Sequence, residues 1–227
     1  MEADYIIGLT YADRLRRVSE ARFQALAAYL GAGPQRLTGL MGPMSDGPAW
    51  PSAAAWLAAR RKDRLWLFSD GLSDPWVERD LPETGLGLEI YIESSDELLT
   101  EQQPPEALAD TWMFPALAEI SHTLAGYPRL CEKLLAGELL SLEFNIEHIK
   151  DGRGRVGALL GLPSGVAELN IAAGNVRLIP ATLLTPAELR FLRGKGAAGR
   201  AALAEKLWSN GIGHLSLLRR LDLTEDL

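Results

Sequence analysis

The chain has 227 residues, 47% hydrophobic and 23% charged, with a formal net charge of −7. That is the composition of a folded globular chain, which excludes a disordered polymer, a coiled coil and a collagen-like repeat. The acidic balance excludes a general basic footprint for nucleic acid.

The first predicted element is a helix. Thr10 and Asp13 resemble a capping box, and Tyr11, Leu15, Val18, Leu26 and Tyr29 follow on one stripe, with Arg14, Arg16 and Arg17 mostly off it. Gly31-Ala-Gly33-Pro34 ends it. Residues 38–52 are rich in Gly and Pro and read as a loop carrying Trp50-Pro51. Ala53 to Arg60 is expected as a short helix, and Arg64 to Ser69 as a compact apolar strand. A turn, Asp70-Gly-Leu-Ser-Asp-Pro75, follows at once.

Leu86, Leu88, Ile90 and Ile92 alternate with Gly87, Glu89, Tyr91 and Glu93. This predicts a half-buried strand with an acidic outer face. Residues 94–105 read as an acidic loop. A helix starts near Thr111, with Met113, Leu117, Ile120 and Leu124 as its apolar stripe, and Gly126-Tyr-Pro128 stops it. Leu139 to Ile149 and Val156 to Leu162 are strand-like, joined by a hairpin turn at Asp151-Gly-Arg-Gly154. That turn is too short for a parallel crossover, so the pair is antiparallel. Asn175 to Leu184 is a further strand, with Pro180 suggesting an edge or a bulge. Thr185-Pro-Ala-Glu188 is a strong helix start, leading into two short helices over 186–193 and 200–209 split by Gly194 to Gly199. The expected fold is α+β: a mixed, mainly antiparallel sheet packed with helices, in a single domain over residues 1–227.

Cys131 is the only cysteine, so no intrachain disulfide can form. The N-terminus has no basic start or uninterrupted apolar run, and the least polar stretch, Ala107 to Gly126, is broken by Asp110, Pro115, Glu119 and His122. A cytoplasmic protein with neither secretory signal nor membrane span is expected.

Catalytic constellations are not evident. Gly152-Arg-Gly-Arg-Val-Gly157 and Gly194-Lys-Gly-Ala-Ala-Gly199 match a dinucleotide pattern, but neither leads from a strand into a helix start. His122, His148 and His214 have no metal-ligand spacing. Cys131 has nothing beside it to lower its pKa. No catalytic residue, metal or cofactor is therefore assigned. Trp66 and Trp112 read as core, whereas loop tryptophans such as Trp50 and Trp76 either pack under the chain or anchor an interface.

The negative charge is not evenly spread. Glu78, Asp80, Glu83, Glu89, Glu93, Asp96, Glu97, Glu101 and Glu106 stand against Arg79 alone, which makes that stretch −8 and the rest of the chain +1. It begins just after Gly71-Leu-Ser-Asp74 and crosses Gly85-Leu-Gly87-Leu-Glu89. These two motifs, then a Trp112-bearing helix start and a Leu-x-Pro strand running into Leu184-Thr-Pro-Ala-Glu-Leu189, resemble the suppressor-of-fused (SUFU) domain family in order and spacing. The resemblance covers roughly residues 40–195 and lacks the long C-terminal tail of the animal protein.

The resemblance implies a non-enzymatic domain that holds another protein. The animal relative restrains a transcription factor, and bacterial relatives are commonly immunity proteins encoded beside polymorphic or contact-dependent toxins. A cognate toxin, of the basic kind an acidic face would attract, or another protein is thus the expected partner, with no nucleic acid and no membrane. Asp70, Asp74, Glu89, Glu93, Asp96 and Glu97 are the partner-contact candidates, because an acidic face speeds association with a basic partner. Gly71, Leu72, Ser73, Gly85 and Gly87 are motif or structural residues, and for Gly71, Gly85 and Gly87 turn geometry ranks above ligand contact. A regulatory scaffold sequestering another protein is the alternative. A metal-dependent enzyme built on Asp70, Asp74 and Glu89 ranks third.

Overall fold

The computed structural model describes residues 9–31, 33–38, 55–61, 63–77, 82–96, 105–146, 155–165 and 168–224. The strands are β1 (Gln35–Thr38), β2 (Ala55–Arg61), β3 (Arg64–Asp70), β4 (Leu88–Ser94), β5 (Leu140–Phe144), β6 (Val156–Leu160), β7 (Glu168–Ile171) and β8 (Gly174–Leu184). The helices are α1 (Tyr11–Leu30), α2 (Met113–Gly126), α3 (Pro128–Leu135) and α4 (Pro186–Ser209), with a 3-10 turn at Pro105–Asp110.

One sheet runs in the order β1-β2-β3-β4-β8-β6-β5, with β7 laid against the start of β8. Every pairing is antiparallel except β4 with β8. The expected α+β, mainly antiparallel architecture is what forms. The strand period of two sorts side chains between the sheet's two faces. Trp56, Ala58, Leu65, Leu67, Leu88, Ile90 and Ile92 meet α2 and α3 on one face. Leu57, Ala59, Phe68, Tyr91, Val176 and Leu178 meet Leu26 and Leu30 of α1 on the other. Leu159 and Leu184 pack under Leu189, Leu192, Leu203 and Leu207 of α4.

The helix ends are as the sequence indicates. The Thr10 hydroxyl accepts from the Asp13 amide, and Gly31 closes α1 at φ 65°. Thr185 and Glu188 form a full capping box with Pro186 in the first turn. Met113, Leu117, Ile120 and Leu124 are all fully buried. α4 is one run of helix broken at Gly196, whose φ of 56° and ψ of −132° lie outside helical space, so the expected split is a kink.

Several expectations are overturned. Residues 55–60 form a strand, not a helix. Alanine's helical advantage is a few tenths of a kcal/mol, roughly, per residue. Ladders to β1 and β3 on both sides outweigh it. The 86–93 strand is not half-buried with an acidic outer face, because all seven residues of β4 are buried. β4 is central, with α2 and α3 over one face and α1 over the other, so Glu89 and Glu93 point into the protein. Pro180 is not on an edge strand but inside β8. It pairs with Tyr91 at the end of the β4 ladder, between the end of the β7 ladder at Arg177 and the start of the β6 ladder at Ala181. α2 does stop at Gly126-Tyr-Pro128 as expected, but Pro128 also opens a further short helix, α3, which was not expected and in which Cys131 lies. The apolar stripe of α1 is Val18, Leu26 and Leu30 continued by buried Arg14 and Arg22, whereas Tyr29 is exposed. The turn at 151–154, His148, Trp50 and most of the loops at 38–52 and 94–105 lie outside the described residues.

β4 and β8 run side by side only from Leu88–Tyr91 against Arg177–Pro180. Beyond that they part, and residues 214–218 fill the fork. The Ser216 amide donates to the Glu93 carbonyl at 2.8 Å. The Ser216 hydroxyl donates to the Ala181 carbonyl at 3.0 Å and accepts from the Leu183 amide at 2.9 Å.

Candidate functional site

β3 ends at Asp70 and the chain turns through Gly71-Leu-Ser-Asp74, with the Asp74 amide donating to the Gly71 carbonyl at 3.1 Å. β4 lies beside β3, and Glu89 reaches from it into the turn. Its Oε1 accepts from the amides of Gly71 (3.0 Å) and Ser73 (2.9 Å) and from the Ser73 hydroxyl (2.6 Å). Its Oε2 accepts from the Ser69 hydroxyl (2.5 Å) and the Leu72 amide (3.3 Å). Three converging amides make a concavity suited to an anion, and the chain fills it with its own carboxylate. Gly85 closes the turn from outside. Its φ is 48°, and a Cβ there would sit 2.2 Å from the Asp74 carbonyl oxygen, so only glycine fits. Gly87, at φ 71°, passes its carbonyl to the Arg177 amide at 2.9 Å.

Arg22 of α1 completes the cluster. Its Nε donates to Asp70 Oδ1 at 2.6 Å, its Nη1 to the Ser73 hydroxyl at 3.0 Å, and its Nη2 to Asp74 Oδ1 at 2.9 Å. Nη2 also lies 2.5 Å from Asp70 Oδ1, and Nε is 3.5 Å from Glu89 Oε1. Arg22, Asp70 and Glu89 are each 1% exposed and Asp74 is 8% exposed. Burial pushes the Asp74 carboxyl up to about 7, with the charges of Glu89 and Asp70 acting the same way and Arg22 opposing them. Burial also raises the Glu89 carboxyl, against the pull of Arg22 and the hydroxyl bonds. For Arg22 burial favours the neutral form, but Asp70, Glu89 and Asp74 more than offset it, so its pKa rises and it stays charged.

Two turns earlier on α1, buried Arg14 donates to the Trp76 and Val77 carbonyls at 2.9 and 3.1 Å and pairs with Glu83 at 2.8 Å. α1 therefore holds Asp70 and Asp74 through Arg22, and Trp76, Val77 and Glu83 through Arg14. Trp76 and Val77, held by their carbonyls, stay 38% and 66% exposed.

A second polar cluster lies at the far end of β4. Glu93 Oε2 meets His214 Nε2 at 2.6 Å, and Oε1 meets Arg64 at 3.2 Å. Burial raises the Glu93 carboxyl, but the His214 bond and the charges of His214 and Arg64 win, so it lies below its usual range. Asp96 accepts from the Leu218 amide at 2.9 Å.

Of the contact candidates, Asp70, Asp74 and Glu89 are thus brought together, but beneath the surface and around Arg22. Glu93 belongs to the other cluster, half-buried Asp96 anchors the C-terminal segment, and Glu97 lies outside the described residues. All four acids of the 78–106 stretch whose side chains are described (Glu83, Glu89, Glu93 and Asp96) bond within the chain. Gly71, Leu72 and Ser73 act through their amides, as turn geometry requires. The three-carboxylate convergence expected of a metal enzyme occurs, but the cation at its centre is a guanidinium. Among the described residues no group of three or more His, Cys, Asp or Glu is placed to hold a metal ion. The Cys131 thiol is buried and pushed up to about 12 by burial. No described helix is long and apolar enough to cross a membrane.

Arg22, Arg14, His214 and Ser216 were not singled out from sequence. For the arginines a signal existed: Arg14, Val18, Arg22, Leu26 and Leu30 repeat every four residues on one helix face.

No family model matches the sequence, and no curated protein matches it. Solved structures do. The crystal structure of the Sufu–Fu complex superposes with a TM-score of 0.53 at 15% identity, over 93% of this chain and 92% of that one. The fold is that of Suppressor of Fused. Drosophila Suppressor of Fused gives a TM-score of 0.52 at 16% identity over 91% of this chain, which spans 51% of that protein's length. The Gly-Leu-Ser-Asp and Gly-x-Gly-x-Glu motifs that carried the resemblance are the two halves of one clasp in this Suppressor-of-Fused-like fold, the Gly71 turn and the Glu89 carboxylate that binds it.

Proposed function

We propose that this chain is a non-enzymatic protein-binding domain that serves in the cytoplasm as an immunity protein, holding and neutralising a cognate polymorphic toxin. One observation carries the protein-binding part: the fold covers nearly the whole chain, and a neighbour sharing it was solved in complex with another protein. The immunity role rests on the family resemblance of the sequence motifs.

In this reading Asp70, Asp74 and Glu89 serve the partner indirectly. They hold rigid the segment that presents Trp76 and Val77. Exposed aromatic side chains on a pinned backbone make good interface anchors, because little ordering entropy is lost on binding. The net negative charge of the 78–106 stretch supplies the steering toward a basic partner.

The test is co-expression with the product of the adjacent reading frame. Rescue of growth and co-purification support the reading, and W76A/V77A weakens retention at least tenfold. A product that is neither toxic nor retained removes it. A product that is retained but harmless favours a regulatory scaffold, a reading to which the same complexed neighbour lends support.

A further inference from the structure

Gly194-Lys-Gly-Ala-Ala-Gly199 lies in the middle of α4, where Gly196 leaves helical space. Glycine inside a helix is destabilising, so each one calls for a reason. Gly196 has one in its φ of 56°, and Gly199 in its packing, since a Cβ there would stand 2.5 Å from the Lys195 Cβ. The kink thus seats Lys195 on the turn that leads to Arg200. Gly194 has neither: its φ is not positive, and nothing lies within 4 Å of an added Cβ. Residues 193–198 are exposed without a break. Apart from Arg193 and Lys195 they present bare or nearly bare backbone, which allows a partner chain to approach closely.

The same stretch holds an excess of positive charge. From residue 189 to 204 the chain carries Arg190, Arg193, Lys195 and Arg200 and no acid. Arg193 bonds one oxygen of Glu143 on β5 at 2.8 Å, but Arg155 takes the other at 2.9 Å. Glu188, earlier on α4, is fully buried and bound by Arg220. Among the described residues nothing forms an ion pair or hydrogen bond with Arg190, Lys195 or Arg200. Arg200 is half-buried, and its Nε is shielded from water without an acceptor. A shielded donor left unbonded is costly, and an incoming carboxylate would satisfy the guanidinium.

We propose that residues 190–200 of α4 dock a short acidic polypeptide segment of a protein partner. Its carboxylates pair with Arg190, Lys195 and Arg200, and its backbone crosses α4 over Gly194. Charge complementarity selects the partner, and arginine binds carboxylates through two parallel bonds. Ten residues of helix span about 15 Å, the reach of about four or five extended residues, so the segment is short. A nucleic acid fits less well. The exposed run 193–198 has no aromatic side chain on which a base could stack, and a chain of net charge −7 repels a long polyanion. This surface is distinct from Trp76 and Val77 and does not depend on the immunity reading.

The whole chain, titrated with a fluorescent octaglutamate peptide at moderate salt, tests this. The wild type should bind it saturably, and R190Q/K195Q/R200Q should bind at least tenfold more weakly. R17Q/R129Q/R219Q removes the same charge from three exposed arginines elsewhere and should change binding less than twofold. G194L, whose side chain meets nothing in the fold, should keep the unfolding midpoint and weaken binding at least threefold. A wild type that shows no saturable binding overturns the proposal, and this outcome needs no variant to fold. Equal losses in the two triple variants would reduce the effect to net charge and overturn it too. So would wild-type binding by G194L, or tighter binding of an oligothymidylate of the same length, which would mark a nucleic-acid surface instead.

Discussion

Glu93 and His214 meet at 2.6 Å across 121 residues of sequence. The contact ties the centre of the sheet to the C-terminal segment, and it makes Glu93 the electrostatic opposite of Asp74. The Glu93 carboxyl lies below its ordinary value of 4.5. A lowered carboxyl stabilises the fold above the unfolded value and stops doing so as pH falls through the folded one. E93Q should therefore be less stable than wild type near neutrality, and the gap should close as pH drops below about 4.5. Urea unfolding of both proteins at several pH values measures this; a gap that widens in acid would contradict it.

Ser216 gives a second prediction. It is fully buried, and its hydroxyl bridges the Ala181 carbonyl and the Leu183 amide. These groups lie where β8 has lost its neighbour β4 and no further ladder reaches them from that side. S216A strands both, and an unsatisfied buried polar group costs about 1–3 kcal/mol. S216A should lower stability by roughly that amount, whereas S216T, keeping the hydroxyl, should lose less unless its methyl group clashes. Chemical denaturation reads the difference.

The fold was largely legible because its signals are local. Thr185-Pro-Ala-Glu188 encodes a helix start whatever surrounds it, and Met113, Leu117, Ile120 and Leu124 declare one face of α2. The site was less legible because burial is a property of the assembled sheet. Glu89 and Glu93 alternate with Tyr91 as an outward acidic face would. Only the position of β4 between β3 and β8, with helices on both sides, turns that face inward. Arg22 could not be matched to Asp70 and Asp74 from sequence, since 48 and 52 residues separate them. Ala55 to Arg61 misled for a related reason: its alanines favour helix locally, and the ladders that make it a strand come from β1 and β3.

Glu89 carries the third prediction. It is the acceptor for three amides and two hydroxyls and one of three carboxylates beside Arg22. E89A leaves those donors facing a void. Removing one partner from a buried charged network costs about 3–5 kcal/mol. The turn at 71–74 should lose its order as well, which would appear as a shifted Trp76 fluorescence maximum before global unfolding. E89Q keeps the shape and one acceptor oxygen, so its loss should be smaller. Equal stability of E89A and wild type would show that the carboxylate does not hold the turn.

Gly85 and Gly31 separate two costs that are usually confounded. Both have positive φ, 48° and 65°, so an alanine is strained at either by about 1–2 kcal/mol. At Gly31 nothing lies within 4 Å of the added Cβ, and strain is the whole effect. At Gly85 the Cβ would stand 2.2 Å from the Asp74 carbonyl oxygen and 3.0 Å from that of Leu72, both backbone atoms that no rotamer change can move. G85A must therefore push the turn away from Glu89 and Arg22, adding lost clasp bonds to the strain. G31A should cost about 1–2 kcal/mol and leave the clasp intact. G85A should cost at least twice that and behave like E89A. In an E89A background G85A should then do little further harm, because residues of one network are not additive. Matching losses for G85A and G31A, or full additivity with E89A, would mean that the turn adjusts without disturbing the clasp.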